Sequence, residues 1–136
     1  METNELSIII DKPINEVFCF TIAPDNTPKW VDRIIREEVD DKPIKIGTIY
    51  RNTNDGINWN TYKVIEFEDN KLFTLKSQNS SYGVRYTYKS LGDNKTQLIY
   101  SEWDDNGLSN SDPFEQAVLE ELKKVIESNG FYPKQV

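Results

Sequence analysis

The sequence predicts an α+β fold, in which a curved antiparallel sheet of about seven strands carries its helices on one face. Three observations predict it. The first is a C-terminal helix, Pro113 to Ser128, with Phe114, Val118, Leu122 and Val125 at four- and three-residue spacing. Leu119 and Ile126 widen this stripe, while Gln116, Glu120, Lys123, Lys124 and Glu127 fall opposite. Such a face needs a partner surface. The second is that nearly everything before it reads as strand. The third is that short turns join those strands, which makes a meander of antiparallel neighbours.

Leu6 to Ile10 is short and rich in isoleucine, which suits a strand. Pro13 then opens a helix whose stripe is Ile14, Val17, Phe18 and Ile22, and Pro24 ends it. Thr27-Pro28 opens a second short helix through Trp30 and Val31 to about Arg33. Ile34 to Val39 is the weakest strand pattern, because its centre is Arg-Glu-Glu. Thr48 to Asn52 is firmer and runs into an Asn54-Asp55-Gly56 turn. Trp59 to Glu68 and Leu72 to Ser77 follow, joined at Asp69-Asn70. Tyr82 to Leu91 and Thr96 to Asp104 form the last hairpin across Gly92-Asp93-Asn94. The final helix has a start signal in Asp112, Pro113 and Glu115, at capping-box spacing. Gly130 and Pro133 mark its stop.

Composition narrows the function. The 136 residues suit one domain over 1–136, with no linker, repeat or low-complexity segment. A formal net charge of -7 argues against nucleic acid as a partner and against anionic membranes. No apolar run is long enough for membrane insertion. The N-terminus has no signal-peptide pattern, and the single cysteine, Cys19, fits a reducing compartment, so the expected location is cytoplasmic. The chain has no histidine. Ser-His-Asp and Cys-His catalysis and histidine-based zinc sites are therefore excluded, and neither a metal nor a cofactor is expected.

The segments resemble a known family when taken in order. "SIIIDKPINEVFCF" resembles the first strand and proline-led helix of the START-like, or SRPBCC, superfamily, within its polyketide cyclase/dehydrase-type and birch-pollen-allergen-like branches. "NTPKWVDRI" resembles its second short helix, and "KIGTIYR" its glycine-led strand. "YKVIEFEDNKLFTL" and "YTYKSLGDNKTQLIYSEW" resemble its later hairpins. The resemblance spans about Leu6 to Ser128. It implies a helix-grip fold, with the sheet curved around the C-terminal helix on its concave face. It also implies an internal cavity for hydrophobic or amphipathic small molecules. It supplies no shared catalytic set: members include cyclases and other enzymes, carriers and co-chaperones.

Strand alternation nominates the cavity wall. Thr96, Leu98, Tyr100 and Glu102 share one face of the last strand, and Tyr82, Val84, Tyr86 and Tyr88 share one face of its neighbour. The resemblance favours these as the concave faces. The expected ligand-binding set is Trp30, Tyr62, Tyr86, Leu98, Tyr100, Glu102, Val118 and Leu122, around a largely apolar pocket between sheet and helix. Each tyrosine has an alternative reading as a cross-strand aromatic pair. Glu102 has two readings. In an apolar chamber its pKa would rise and suit it to general acid or base work with a tyrosine. At the mouth it would be solvated and paired with a basic residue. Arg51 and Arg85 are expected to face outward and pair with Glu66 or Glu68, and Cys19 is expected to be an inert thiol. Three functions stay open: carriage of a small hydrophobic ligand, a cyclase- or dehydratase-like enzyme, and a co-chaperone-like interaction module. The assembly expected is a monomer or homodimer.

Overall fold

The computed structural model of the protein describes residues 2–108 and 112–128. Seven strands occur among them: β1 (Glu2–Ile10), β2 (Arg36–Val39), β3 (Ile49–Thr53), β4 (Trp59–Glu68), β5 (Leu72–Ser77), β6 (Gly83–Gly92) and β7 (Lys95–Asp104). They form one antiparallel sheet in the order β1-β7-β6-β5-β4-β3-β2. Two α-helices accompany it, α1 (Ile14–Ile22) and α2 (Gln116–Ser128), with a 3-10 helix at Pro24–Lys29.

The meander from β2 to β7 follows the turn chemistry. Asp55 accepts hydrogen bonds from the backbone N–H of Ile57 (2.8 Å) and Asn58 (2.7 Å), which folds the β3–β4 turn. Those bonds hold its carboxyl below the usual carboxylate range. Irregularities at Val64/Glu66 and Ser90/Gly92 break the ladder and add bend to the sheet. The first strand is longer than its apolar run. Glu2 to Glu5 extend it because each pairs with a residue of β7, from Asp104 to Ser101. Pairing, not hydrophobicity, makes these residues β. The "NTPKWVDRI" segment is shorter in helix than its sequence suggests. The 3-10 turn ends at Lys29, and the chain then enters the extended edge strand β2.

One face of the sheet is the core. Tyr86 and Tyr88 of β6, Leu98 and Tyr100 of β7, and Tyr50 of β3 are all buried. Val17, Phe18, Phe20 and Ile22 of α1 join them, with Leu119, Leu122 and Ile126 of α2. α2 lies along β1 and closes that end of the concave face. Trp103 and Arg85 occupy the other face. The Trp103 ring lies so close over Gly83 that a Cβ there would fall 2.3 Å from a ring carbon. Arg85 sits 5.5 Å over that ring and pairs with Glu66 at 2.7 Å, as its strand parity requires. Arg51 also faces outward, but its partner is Glu38, because β3 lies beside β2 and places Glu38 opposite Arg51.

The last helix corrects the sequence reading. It begins at Gln116 rather than Pro113. Asp112 has φ 51°, outside the extended conformation an N-cap residue needs. The first helical bond is instead offered by the Glu115 carbonyl to the Val118 N–H, at 2.9 Å. Phe114 precedes the helix, and its N–H donates to the Glu102 carboxylate, as described below. The stop signals at Gly130 and Pro133 lie outside the described residues.

The buried face of α2 yields a stability prediction. Leu122 is fully buried, whereas Lys124 is exposed. Leu122→Ala should cost about 2–5 kcal/mol and Lys124→Ala less than about 0.5 kcal/mol, both read by urea unfolding. Lys123 is not a neutral control. It donates to the Ile9 carbonyl at 2.9 Å and pairs with Asp11 and Glu127. Equal losses for Leu122→Ala and Lys124→Ala would contradict the packing described.

Candidate functional site

Glu102 anchors the site. Register places it on β7 opposite Asn4 of β1 and Val84 of β6. Its relative exposure is 0%. Three donors satisfy it: the Phe114 backbone N–H at 2.7 Å, the Tyr82 hydroxyl at 2.7 Å and the Asn4 amide at 2.9 Å. The same Asn4 amide also donates to the Phe114 carbonyl at 2.9 Å. Both sequence readings of Glu102 need correction. It does not line the cavity, it is not solvated at the mouth, and no basic residue is among its bonded partners. It is a satisfied buried acceptor that joins β1, the approach to β6 and the approach to α2.

That attachment shapes what lies in front of it. Phe114 stacks on Tyr100, with ring centroids 4.7 Å apart and planes 6° from parallel. Arg33 covers Phe114 at 5.1 Å and pairs with Asp112 at 3.0 Å. Tyr100 hydrogen-bonds to Tyr82, which donates in turn to Glu102. Burial, followed by the neighbouring Glu102 charge, pushes the Tyr82 phenol well up. These groups form one wall of a cavity of about 510 Å³. Tyr50, Tyr62, Phe73 and Tyr86 form the sheet side, and exposed Asn54, Asn60, Asn79 and Ser80 rim the mouth.

The cavity lies between the sheet, the 3-10 helix with the segment after it, and the segment before α2. It does not lie beneath α2. Of the nominated residues, Tyr62, Tyr86 and Tyr100 line it. Leu98, Val118 and Leu122 do not, because α2 starts late and packs over β1, sealing Leu98 at 0% exposure. Trp30 is core, at 2% exposure, edge-on to Phe114 at 6.0 Å. The wall is not largely apolar either. Asn52, Thr27 and Ser77 share it with the aromatic rings. The hydroxyls of Tyr62 and Tyr86 have no hydrogen-bond partner among the described residues. By contrast, Tyr50 donates to the Ile22 carbonyl and Tyr88 is bonded to Thr21 at 2.6 Å.

Sequence reasoning missed Glu37. It lies on β2, opposite Asn52 of β3, and its side chain faces the cavity. Thr27 donates to one carboxylate oxygen at 2.6 Å, and Asn52 to the other at 3.1 Å. The residue keeps some accessible surface, but the cavity supplies it, so the carboxyl is effectively desolvated. That desolvation pushes its pKa up to about 7, against the opposing pull of the two hydrogen bonds. The available signal was the alternation Glu37–Val39 against Arg36–Glu38, which separates an inward from an outward carboxylate once the segment is accepted as strand. Cys19 is half-buried, and burial raises its thiol pKa, so it has no activated character.

Comparison with known proteins places this architecture among START-like helix-grip folds. No family model and no curated protein matches the sequence. Solved structures do match the fold. The di-domain ARO/CYC protein BexL aligns with a TM-score of 0.72 at 13% identity, over 93% of this chain and 47% of BexL. The chain thus spans about half of that relative. The Aha1 dimer protein from Colwellia psychrerythraea aligns with a TM-score of 0.72 at 13% identity, over 94% of this chain and 98% of its own. Ara h 8.0201 aligns with a TM-score of 0.66 at 16% identity, over 94% and 99%. At such identities the likeness is one of fold. No helix among the described residues is long and apolar enough to cross a membrane.

Two predictions follow from the carboxylates. Glu102→Ala leaves three part-buried donors without their shared acceptor and should cost about 3 kcal/mol. Glu102→Gln, which keeps one acceptor oxygen, should cost less, and a thermal or urea melt ranks the two. For Glu37 the folded pKa of about 7 exceeds the reference 4.5. The folded state therefore holds the proton more tightly, and the associated stability is present at low pH and is lost as pH rises towards 7. The stability of wild type minus that of Glu37→Gln should fall from about pH 5 to about pH 8. A flat difference would refute the shifted titration.

Proposed function

We propose that the protein binds a small amphipathic molecule in this cavity. One observation carries the reading. A space of about 510 Å³ is walled by aromatic rings yet presents the free hydroxyls of Tyr62 and Tyr86 and the Glu37 carboxyl. That size is typical of small-molecule sites, as is a wall that combines aromatic rings with converging polar groups. A fully packed interior would have favoured an interaction module, and this interior is not packed. The fold likeness to BexL and Ara h 8.0201 supports the same reading by analogy only.

Proton transfer on the bound molecule, as in a cyclase or dehydratase, is the second reading. It moves from Glu102 to Glu37, which burial brings to about 7. A group titrating near neutrality serves as either acid or base.

Native mass spectrometry of freshly purified protein tests both. Wild type should retain a small molecule. Ser77→Trp, which places an indole in the cavity wall, should lose it. If Glu37 transfers protons, Glu37→Gln should retain a species of different mass, the unconverted substrate. Wild type that carries nothing, and that no amphipathic compound stabilises, would overturn the binding reading.

A further inference from the structure

We propose that the molecule this cavity takes is a cationic amine, with its ammonium group seated on Glu37 and its apolar body against the aromatic wall. The inference rests on the reading that the cavity binds a small molecule, and it specifies the class.

Charge inside the cavity is the first argument. Glu37 has only neutral bonded partners, Thr27 of the 3-10 helix and Asn52 of β3. A carboxylate offers about four lone-pair sites, and these two bonds leave the others available on a side chain that lines the cavity. Arg33 is the one cation in the described wall, and its charge is committed to Asp112 at 3.0 Å and to the Phe114 ring. An anionic ligand would therefore compete with Asp112 for Arg33. It would also meet Glu37 within a chain of net charge -7. A cation meets an unneutralised carboxylate and a field that draws it in.

The surroundings of Glu37 give the second argument. The ionisable groups whose phenols sense the Glu37 charge are Tyr50 of β3, Tyr62 of β4 and Tyr86 of β6. Burial raises all three above their ordinary range, so they stay neutral. Neutral aromatic rings around a carboxylate suit an organic cation. The ring faces attract positive charge, the carboxylate neutralises it, and the free hydroxyls of Tyr62 and Tyr86 accept its N–H groups. Above about pH 7, where Glu37 is ionised, a neutral carbonyl ligand would use the hydroxyls but leave that charge without compensation, at a desolvation cost.

The experiment compares three probes of matched body: 4-phenylbutylamine, 4-phenylbutanol and 4-phenylbutyrate. Isothermal titration calorimetry near pH 8 should show the amine binding wild type at least about tenfold more tightly than the alcohol, and the carboxylate more weakly than either. In Glu37→Gln the advantage of the amine over the alcohol should vanish. A second readout uses wild type alone. Near pH 7 the ammonium fixes Glu37 in its ionised form, so amine binding should release a proton, and its enthalpy should vary with the ionisation heat of the buffer. Alcohol binding should not. If the alcohol binds and the amine has no advantage, or if that advantage survives Glu37→Gln, the amine inference falls while the cavity remains a binding site. If none of the three probes binds, both readings fall.

Discussion

The buried Glu102 carboxylate is the constraint on which the rest of the structure depends. A carboxylate at the centre of a protein must find donors, and here they come from three distant parts of the chain. Asn4 brings β1, Tyr82 brings the approach to β6, and the Phe114 N–H brings the segment before α2. Apolar packing alone would let that last segment slide, since Phe114, Val118 and Leu122 share a helical stripe. The directional bond to the Phe114 N–H removes that freedom. It fixes Phe114 ahead of the helix, where its ring stacks on Tyr100 and Arg33 covers it.

The cavity is a consequence of this arrangement. Had α2 begun at Pro113, its first turn would have carried Phe114 onto the helix face that packs at β1. Instead, non-helical chain crosses in front of Tyr100, and no residue of α2 lines the cavity against β3 to β5. The large aromatic residues there, Tyr50 and Phe73, with Tyr86 of β6, pack at tilted angles. Rigid rings in a row fill a surface but not a volume. The space left over is walled by whatever the flanking 3-10 helix and β2 contribute, and these contribute Thr27 and Glu37.

What was legible in the sequence follows from how local each determinant is. β4 and β5 were legible to the residue, because their β-forming residues and the Asp69-Asn70 turn are written in consecutive positions. The helix start was not. Its capping signal was locally complete, yet Asp112 takes a left-handed conformation, and Phe114 is held by Glu102, twelve positions upstream, whose burial only the folded sheet reveals. The shared strand parity of Leu98 and Tyr100 was legible, but which face is concave came only from the resemblance, and which residue faces empty space from neither, because that depends on where α2 starts. Glu37 was hidden by a rule that usually holds. Charged residues lower the expectation of a strand, yet an edge strand tolerates charges, and one with a cavity on its inner side has a use for a carboxylate there.

The helix-grip scaffold itself explains little of this. Proteins with 13% identity reproduce the backbone over more than nine-tenths of the chain, so the sheet and helices tolerate almost any side chains that keep their pattern. What such a scaffold cannot tolerate without a reason is an ionisable group in its cavity with no counter-charge. A structural carboxylate in this fold has an available solution, and Glu102 uses it: three neutral donors and complete burial. Glu37 has two donors, an open side and a pKa displaced by about the amount that desolvation without a cation produces. The contrast between the two carboxylates separates a group that holds the fold from one that keeps an open side towards the cavity.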